Sequence, residues 1–157
     1  MLKGPIDAAT LSPDGLTVAT AERWGAIGLW SFKTQQQLRP NLRGGWGVGV
    51  LKYSGDGQWL LSTYRGPAAH LWKLPAQDTQ PALLPHAGEL RDADFSPDDR
   101  LVVTASQDKT VGVWDVFTTK PVCEALVHPV SVNEVKFAAT GRWIVSRAQD
   151  QIVRGWP

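Results

Sequence analysis

Two stretches of the chain place a histidine, a hydroxyl and a carboxylate at the same intervals: His86, Thr104 and Asp108, then His128, Ser146 and Asp150. The step from histidine to aspartate, 108−86 and 150−128, is 22 in both. Histidine between a hydroxyl and a carboxylate is the composition of a nucleophilic triad, in which the base takes the hydroxyl proton and the acid orients the base. The same groups also suit a buried hydrogen-bonded chain that closes a turn, where one unpaired member costs about 1–3 kcal/mol. A tryptophan, Trp114 or Trp156, ends each set. Two copies of one catalytic centre at a fixed interval would be odd, so the structural reading is preferred. No catalytic residue is assigned.

The tryptophans lead to the elements that must position these groups. Trp30, Trp72, Trp114 and Trp156 are separated by 72−30, 114−72 and 156−114, which is 42 residues each time. Other columns keep the register: Leu11, Tyr53, Phe95 and Phe137, followed by Ser12, Ser54, Ser96 and Ala138. The next residues read Pro13-Asp14-Gly15, Gly55-Asp56-Gly57, Pro97-Asp98-Asp99 and Ala139-Thr140-Gly141, and proline and aspartate are turn formers for mechanical reasons. In the third unit, 90–95, 101–105 and 110–114 read as short strands rich in β-branched residues, with a fourth near 121–127. No stretch has a helical period. The expectation is an all-β chain of four units, approximately 1–43, 44–85, 86–127 and 128–157.

A period of about 40–45 residues ending in tryptophan marks a four-stranded propeller blade. Unit three, HAGELRDADFSPDDRLVVTASQDKTVGVWD, resembles a WD-repeat blade, and unit four is similar but ends Trp156-Pro157. Units one and two end Trp30-Ser31 and Trp72-Lys73 and share the columns. The resemblance implies a WD-repeat β-propeller. It also implies that His86, Thr104, Asp108 and Trp114, like His128, Ser146, Asp150 and Trp156, form a structural hydrogen-bond network inside the blade. Asp108→Ala should then lower stability without abolishing any chemistry. In units one and two the histidine column holds Leu2 and Gly44 and the aspartate column Trp24 and Gly66, which would leave Thr20 and Ser62 without those partners. His70 is expected to face solvent or pack loosely. Trp59 and Trp143 share a column and are expected to pack between blades.

Unit four stops as its third strand ends, and only Met1–Gly4 precede the first strand. The expectation is an open fan of about fifteen strands, the last blade lacking its outer strand. Such a fan is read as part of a larger propeller. The alternative is a half-ring that self-assembles into an eight-bladed homodimer.

By resemblance, partners bind one rim of the channel. Carried over by column, the rim positions are Pro5, Asp7, Arg23, Gly47, Gly49, Arg65, Glu89, Arg91, Gln107, Ser131, Asn133 and Gln149, with Trp24 and Trp46 adjacent. Tryptophan and arginine dominate interface hot spots. The expected function is a non-enzymatic scaffold that presents this rim to a protein partner or to another domain of a parent chain.

Composition narrows the rest. The 157 residues carry 16 basic and 15 acidic side chains with no run of one sign. A backbone-driven nucleic-acid binder would show a basic stripe. Cys123 is the single cysteine, so no intramolecular disulfide or cysteine cluster can form, which favours a reducing compartment. The opening residues lack a signal-peptide core, and no window approaches 18 apolar residues. The expectations are cytoplasmic residence and no metal, cofactor, membrane or nucleic-acid partner.

Overall fold

Among the described residues the short β-branched runs become fifteen strands, with no helix. The computed structural model describes residues 5–75 and 80–157. Blade 1 comprises β1 (Ile6–Leu11), β2 (Thr17–Glu22), β3 (Ala26–Ser31) and β4 (Leu42–Arg43). Blade 2 comprises β5 (Leu51–Tyr53), β6 (Trp59–Ser62), β7 (Ala68–Lys73) and β8 (Ala82–Pro85). Blade 3 comprises β9 (Leu90–Phe95), β10 (Leu101–Ser106), β11 (Thr110–Asp115) and β12 (Leu126–Val127). Blade 4 has β13 (Val132–Phe137), β14 (Ile144–Ala148) and β15 (Val153–Trp156), and no fourth strand pairs with it among the described residues. All pairings are antiparallel, each blade being a simple meander from its innermost strand outward. The calls that fall on Leu2 and on Met1–Gly4 lie outside the described residues.

The repeat columns coincide with the sheet register. Trp30, Trp72, Trp114 and Trp156 lie opposite Val18, Leu60, Val102 and Ile144 on the neighbouring strand. The turn between the first two strands is built the same way in three blades. Ser12, Ser54 and Ser96 donate to Asp14, Asp56 and Asp98 at 2.5, 2.6 and 2.6 Å, and each serine oxygen accepts the backbone N–H five residues on. The fourth turn position is left-handed in all four blades, as glycine at 15, 57 and 141 and as Asp99 in blade 3.

Each blade presents a leading face to the next blade and a trailing face to the one before. Ala19, Ala21, Ile27, Leu29 and Leu42 of blade 1 pack on Leu51, Leu60 and Trp72 of blade 2. Leu61, Leu71 and Leu84 then meet Leu90, Val102 and Trp114, and Val103, Ala105, Val111 and Val113 meet Val132, Val135 and Ile144. Strands buried on both faces read as continuous apolar runs, and β6 is buried at every position. No such cluster joins blade 4 to blade 1 among the described residues, so the blades form an open fan. Trp59 is buried between blades 2 and 3, with the Phe117 ring edge-on at 6.0 Å. Trp143 departs from expectation: no neighbouring blade covers it among the described residues, and it is half exposed.

Candidate functional site

The triad-like set in blade 3 forms one continuous chain of hydrogen bonds. The Trp114 indole N–H donates to Thr104 Oγ1 at 2.8 Å, and Thr104 Oγ1 lies 2.7 Å from His86 Nε2. His86 Nδ1 lies 2.9 Å from Asp108 Oδ2. Asp108 also accepts the Ala87 and Thr110 N–H groups at 2.9 Å each and the Thr110 hydroxyl at 2.6 Å. This pattern assigns the histidine proton to Nδ1 and leaves Nε2 as acceptor. Thr104 is fully buried, so its hydroxyl is closed to any substrate, and its bonds are spent on the tryptophan and the histidine. Burial pushes the Asp108 carboxyl up, but donation from Thr110, Ala87 and His86 outweighs it and holds the group below the usual carboxylate value.

Blade 4 keeps only half of this chain, which corrects the expectation for Asp150. Trp156 Nε1 donates to Ser146 at 2.9 Å, and His128 Nε2 lies 2.8 Å from Ser146 Oγ. His128 Nδ1, however, faces the Leu126 carbonyl at 3.1 Å. Asp150 is held by both Arg154 Nη groups, at 3.2 and 2.7 Å. Arg154 stands in the column where blade 3 has Gly112, and its charged fork takes the carboxylate in place of the neutral imidazole.

Blade 2 replaces the relay rather than losing it. Trp72 donates to Ser62 at 3.1 Å and Ser62 donates to the Tyr64 hydroxyl at 2.8 Å, so Ser62 lacks the histidine and aspartate, as expected, but is partnered by a tyrosine that column reading did not find. Tyr64 occupies the volume that Gly44 leaves open in the histidine column, because a Cβ on Gly44 would collide with the tyrosine hydroxyl. His70 does not face solvent: it packs against Tyr64 with centroids 4.6 Å apart, is half-buried and leaves Nδ1 without a hydrogen-bond partner among the described residues. In blade 1 only Trp30 to Thr20, at 2.9 Å, remains among the described residues. The tryptophan–hydroxyl bond, ten residues apart, is thus present in all four blades.

Burial lowers the pKa of His70, and burial followed by the Arg154 charge lowers that of His128 against the opposing Leu126 carbonyl and Asp150. The unfolded chain takes up protons near 6.5 while these folded imidazoles resist them. Stability is therefore expected to fall as pH drops from 7 through about 6.5 toward the lowered folded values. Urea titrations at pH 7, 6 and 5 would read this, and His128→Asn should flatten the slope; a midpoint independent of pH would contradict it.

The other set of assigned residues gathers at the ends of the inner strands. An extra residue is inserted opposite the second strand at Asp7, Arg91 and Asn133, where the register steps. A bulge of this kind re-aims the side chain of the inserted residue, here toward the rim. Asp7, Arg23, Trp46, Arg65, Glu89 and Arg91 line one cleft of about 600 Å³ across blades 1, 2 and 3, together with Val48, Tyr64 and Leu90, which column reasoning did not single out. Gln107, Asn133 and Gln149 are outside its lining, as is Trp24, which is largely exposed. Gln107, with its amide oxygen turned toward Arg91, accepts from Arg91 Nε at 3.1 Å.

The charges in the cleft are unequally matched. Arg23 pairs with Asp7 at 3.4 Å and Arg91 with Glu89 at 3.7 Å. Arg65 has no carboxylate partner among the described residues; its guanidinium lies over the Trp46 ring, 5.2 Å from the centroid. A Cβ on Gly47 would press on Arg65 Cγ and Cδ at 3.0 Å, so the glycine makes room for the arginine stem. The stacked pair offers a flat apolar surface with one unmatched positive charge.

Comparison with known proteins agrees with this architecture. The family model described as "WD domain, G-beta repeat" matches residues 79–115. The chain is 28% identical over 119 residues to Protein LST8 homolog of Drosophila melanogaster, covering 71% of this chain and 38% of that protein. It is 32% identical over 124 residues to WD repeat-containing protein SL1-17 of Schistosoma mansoni, covering 78% and 41%. It is 33% identical over 122 residues to Elongator complex protein 2 of Saccharomyces cerevisiae, covering 69% and 16%. The chain spans less than half the length of each of these relatives. With four antiparallel blades, the tryptophan–hydroxyl bond in every one and these matches, the chain belongs to the WD-repeat β-propeller family.

Proposed function

We propose that the chain is a non-catalytic interaction module whose rim cleft receives an acidic segment of a partner protein or of another domain of a parent chain. The unmatched Arg65 guanidinium stacked on Trp46 carries this reading. Rim charges that already have partners add little to binding, whereas a stacked arginine–tryptophan pair is the composition of a hot spot. Relatives named as a complex protein and as a polyadenylation factor subunit support work within assemblies. The net charge of +1 supports a protein over a nucleic-acid backbone, and the lone cysteine supports cytoplasmic residence. Affinity capture with the wild-type chain and with Trp46→Ala/Arg65→Ala, both shown to be folded, tests the cleft. Capture of the specific partner should fall about tenfold in the variant, a loss of about 1.4 kcal/mol. Equal capture would remove the rim from the function.

One observation favours a second reading, pairing with another copy: the trailing face of blade 1 exposes Ile6, Leu11 and Phe32, in columns that later blades bury wholly or in part. Against it, Glu134 and Arg147 form a two-bonded ion pair on the leading face of blade 4, at 2.6 and 3.1 Å. Closing an eight-bladed ring would take that pair out of water, at a desolvation cost. Light scattering during size exclusion separates the readings by mass.

A further inference from the structure

A second cleft, of about 620 Å³, lies between blades 1 and 2 at the end opposite the rim. β1 runs from the rim at Asp7 to the turn at Ser12, so this end carries the turns of the two blades. Leu29, Leu38 and Leu74 form apolar walls, and the exposed carboxylates of Asp14 and Asp56 stand on its lining. Two lining residues each leave a buried polar atom with no hydrogen-bond partner among the described residues: Arg39 at Nε and Tyr53 at its hydroxyl.

The Tyr53 hydroxyl is an addition to the blade plan. Its column holds Leu11, Phe95 and Phe137 in the other blades, so a phenyl ring suffices for the packing. Burial, with the Asp14 charge adding to it, pushes the phenol up to about 12, so the group remains an O–H donor. The corresponding seam between blades 2 and 3 is closed differently: the Asp99 carboxylate accepts the Gly55 and Asp56 N–H groups at 2.7 Å each. Gly57 occupies the Asp99 column at the blade 1–2 seam and supplies no such clamp. Buried donors without acceptors carry a desolvation penalty that a bound acceptor would relieve.

We propose that this cleft binds an extended peptide segment of a partner protein. A main-chain carbonyl would take the Tyr53 O–H and the Arg39 N–H. An aliphatic side chain would lie among Leu29, Leu38 and Leu74, and a neighbouring lysine or arginine would reach Asp14 and Asp56. The two carboxylates select the basic residue by charge complementarity. Arg39 is only half-buried, so its head can swing to admit the carbonyl. The site is separate from the rim and stands without the rim reading.

Calorimetric titration with acetyl-Leu-Lys-Leu-amide, compared with acetyl-Leu-Glu-Leu-amide, tests it. The lysine peptide should bind saturably and the glutamate peptide about tenfold more weakly. Tyr53→Phe and Arg39→Met should each weaken the lysine peptide about fivefold, one hydrogen bond's loss, while Trp46→Ala/Arg65→Ala leaves it unchanged. Without peptide, Tyr53→Phe should raise the melting temperature by a few degrees, because the buried unpaired hydroxyl is gone. Absence of saturable binding, wild-type affinity retained in Tyr53→Phe and Arg39→Met, or a lowered melting temperature for Tyr53→Phe would each overturn the proposal.

Discussion

Asp108→Ala should lower the unfolding free energy by about 3 kcal/mol, whereas Asp150→Ala, in the same repeat column, should cost far less. Asp108 is the acceptor for four donors: His86 Nδ1, the Ala87 and Thr110 N–H groups and the Thr110 hydroxyl. Its side chain is 13% exposed and that of His86 3%, so water cannot replace it fully. Removing it strands a buried imidazole whose other nitrogen is tied to Thr104, and the loss spreads along the chain to Trp114. Asp150 instead holds the Ile152 N–H and the Arg154 side chain, both of which water can serve when it leaves. For a chain of this size 3 kcal/mol is a drop of about 10 °C in melting temperature. Thermal melts of the two variants side by side would show it, and equal losses would mean that the relay is not a cooperative unit. The Asp108 contribution is present above the ordinary carboxylate range and is lost as pH falls through its lowered folded value.

The repeat explains why so much of the fold could be read from residue spacing. Four tryptophans at 42-residue intervals define columns, and columns such as the tryptophan–hydroxyl pair keep one role in all four blades. That reasoning brought Asp7, Arg23, Trp46, Arg65, Glu89 and Arg91 to the same end of the blades, and these six do share a cleft. It could not show which charges are matched there, because Arg65 and Trp46 meet across a loop. Departures from the columns were harder to read. Tyr64 fills the space beside Gly44 from two residues after the hydroxyl, so a reading by column saw a missing histidine and no replacement. A signal was available at Arg154, where an arginine four residues after Asp150 stands in place of glycine. The seams were least legible. Asp92, Asp94 and Asp99 each reach a neighbouring blade about one full period away in sequence; the Asp94 column holds Lys52 and Lys136, which face carboxylates across the seams, whereas the Asp99 column elsewhere holds glycine.

Asp94→Ala is expected to cost about 2 kcal/mol by loosening three blades at once. Its carboxylate pairs with Lys52 of blade 2 at 2.9 Å and accepts the Phe137 N–H of blade 4 at 3.3 Å. Asp92 beside it accepts the Val135 N–H at 3.1 Å and faces Lys136 at 3.6 Å, so charges of alternating sign run across the inner strands. Burial and the neighbouring Lys136 already hold Lys52 below the ordinary lysine value, and Asp94 is what offsets them. Without Asp94 the ammonium keeps only the Ala93 carbonyl, at 3.1 Å. Lys52 retains some solvent access, which limits the loss to less than that of a fully buried pair. Asp94→Asn should lie between alanine and wild type, since an amide oxygen can still accept from Phe137. Lys52→Met should restore part of the loss in the Asp94→Ala background, and the double-mutant cycle measures the coupling. Hydrogen exchange adds the spatial test: amides of β13 should open sooner in Asp94→Ala while those of β2 and β3 keep their rates. A uniform change across all four blades would mean that the seams transmit the loss through the whole fan, and that the inner-strand charges are not local staples.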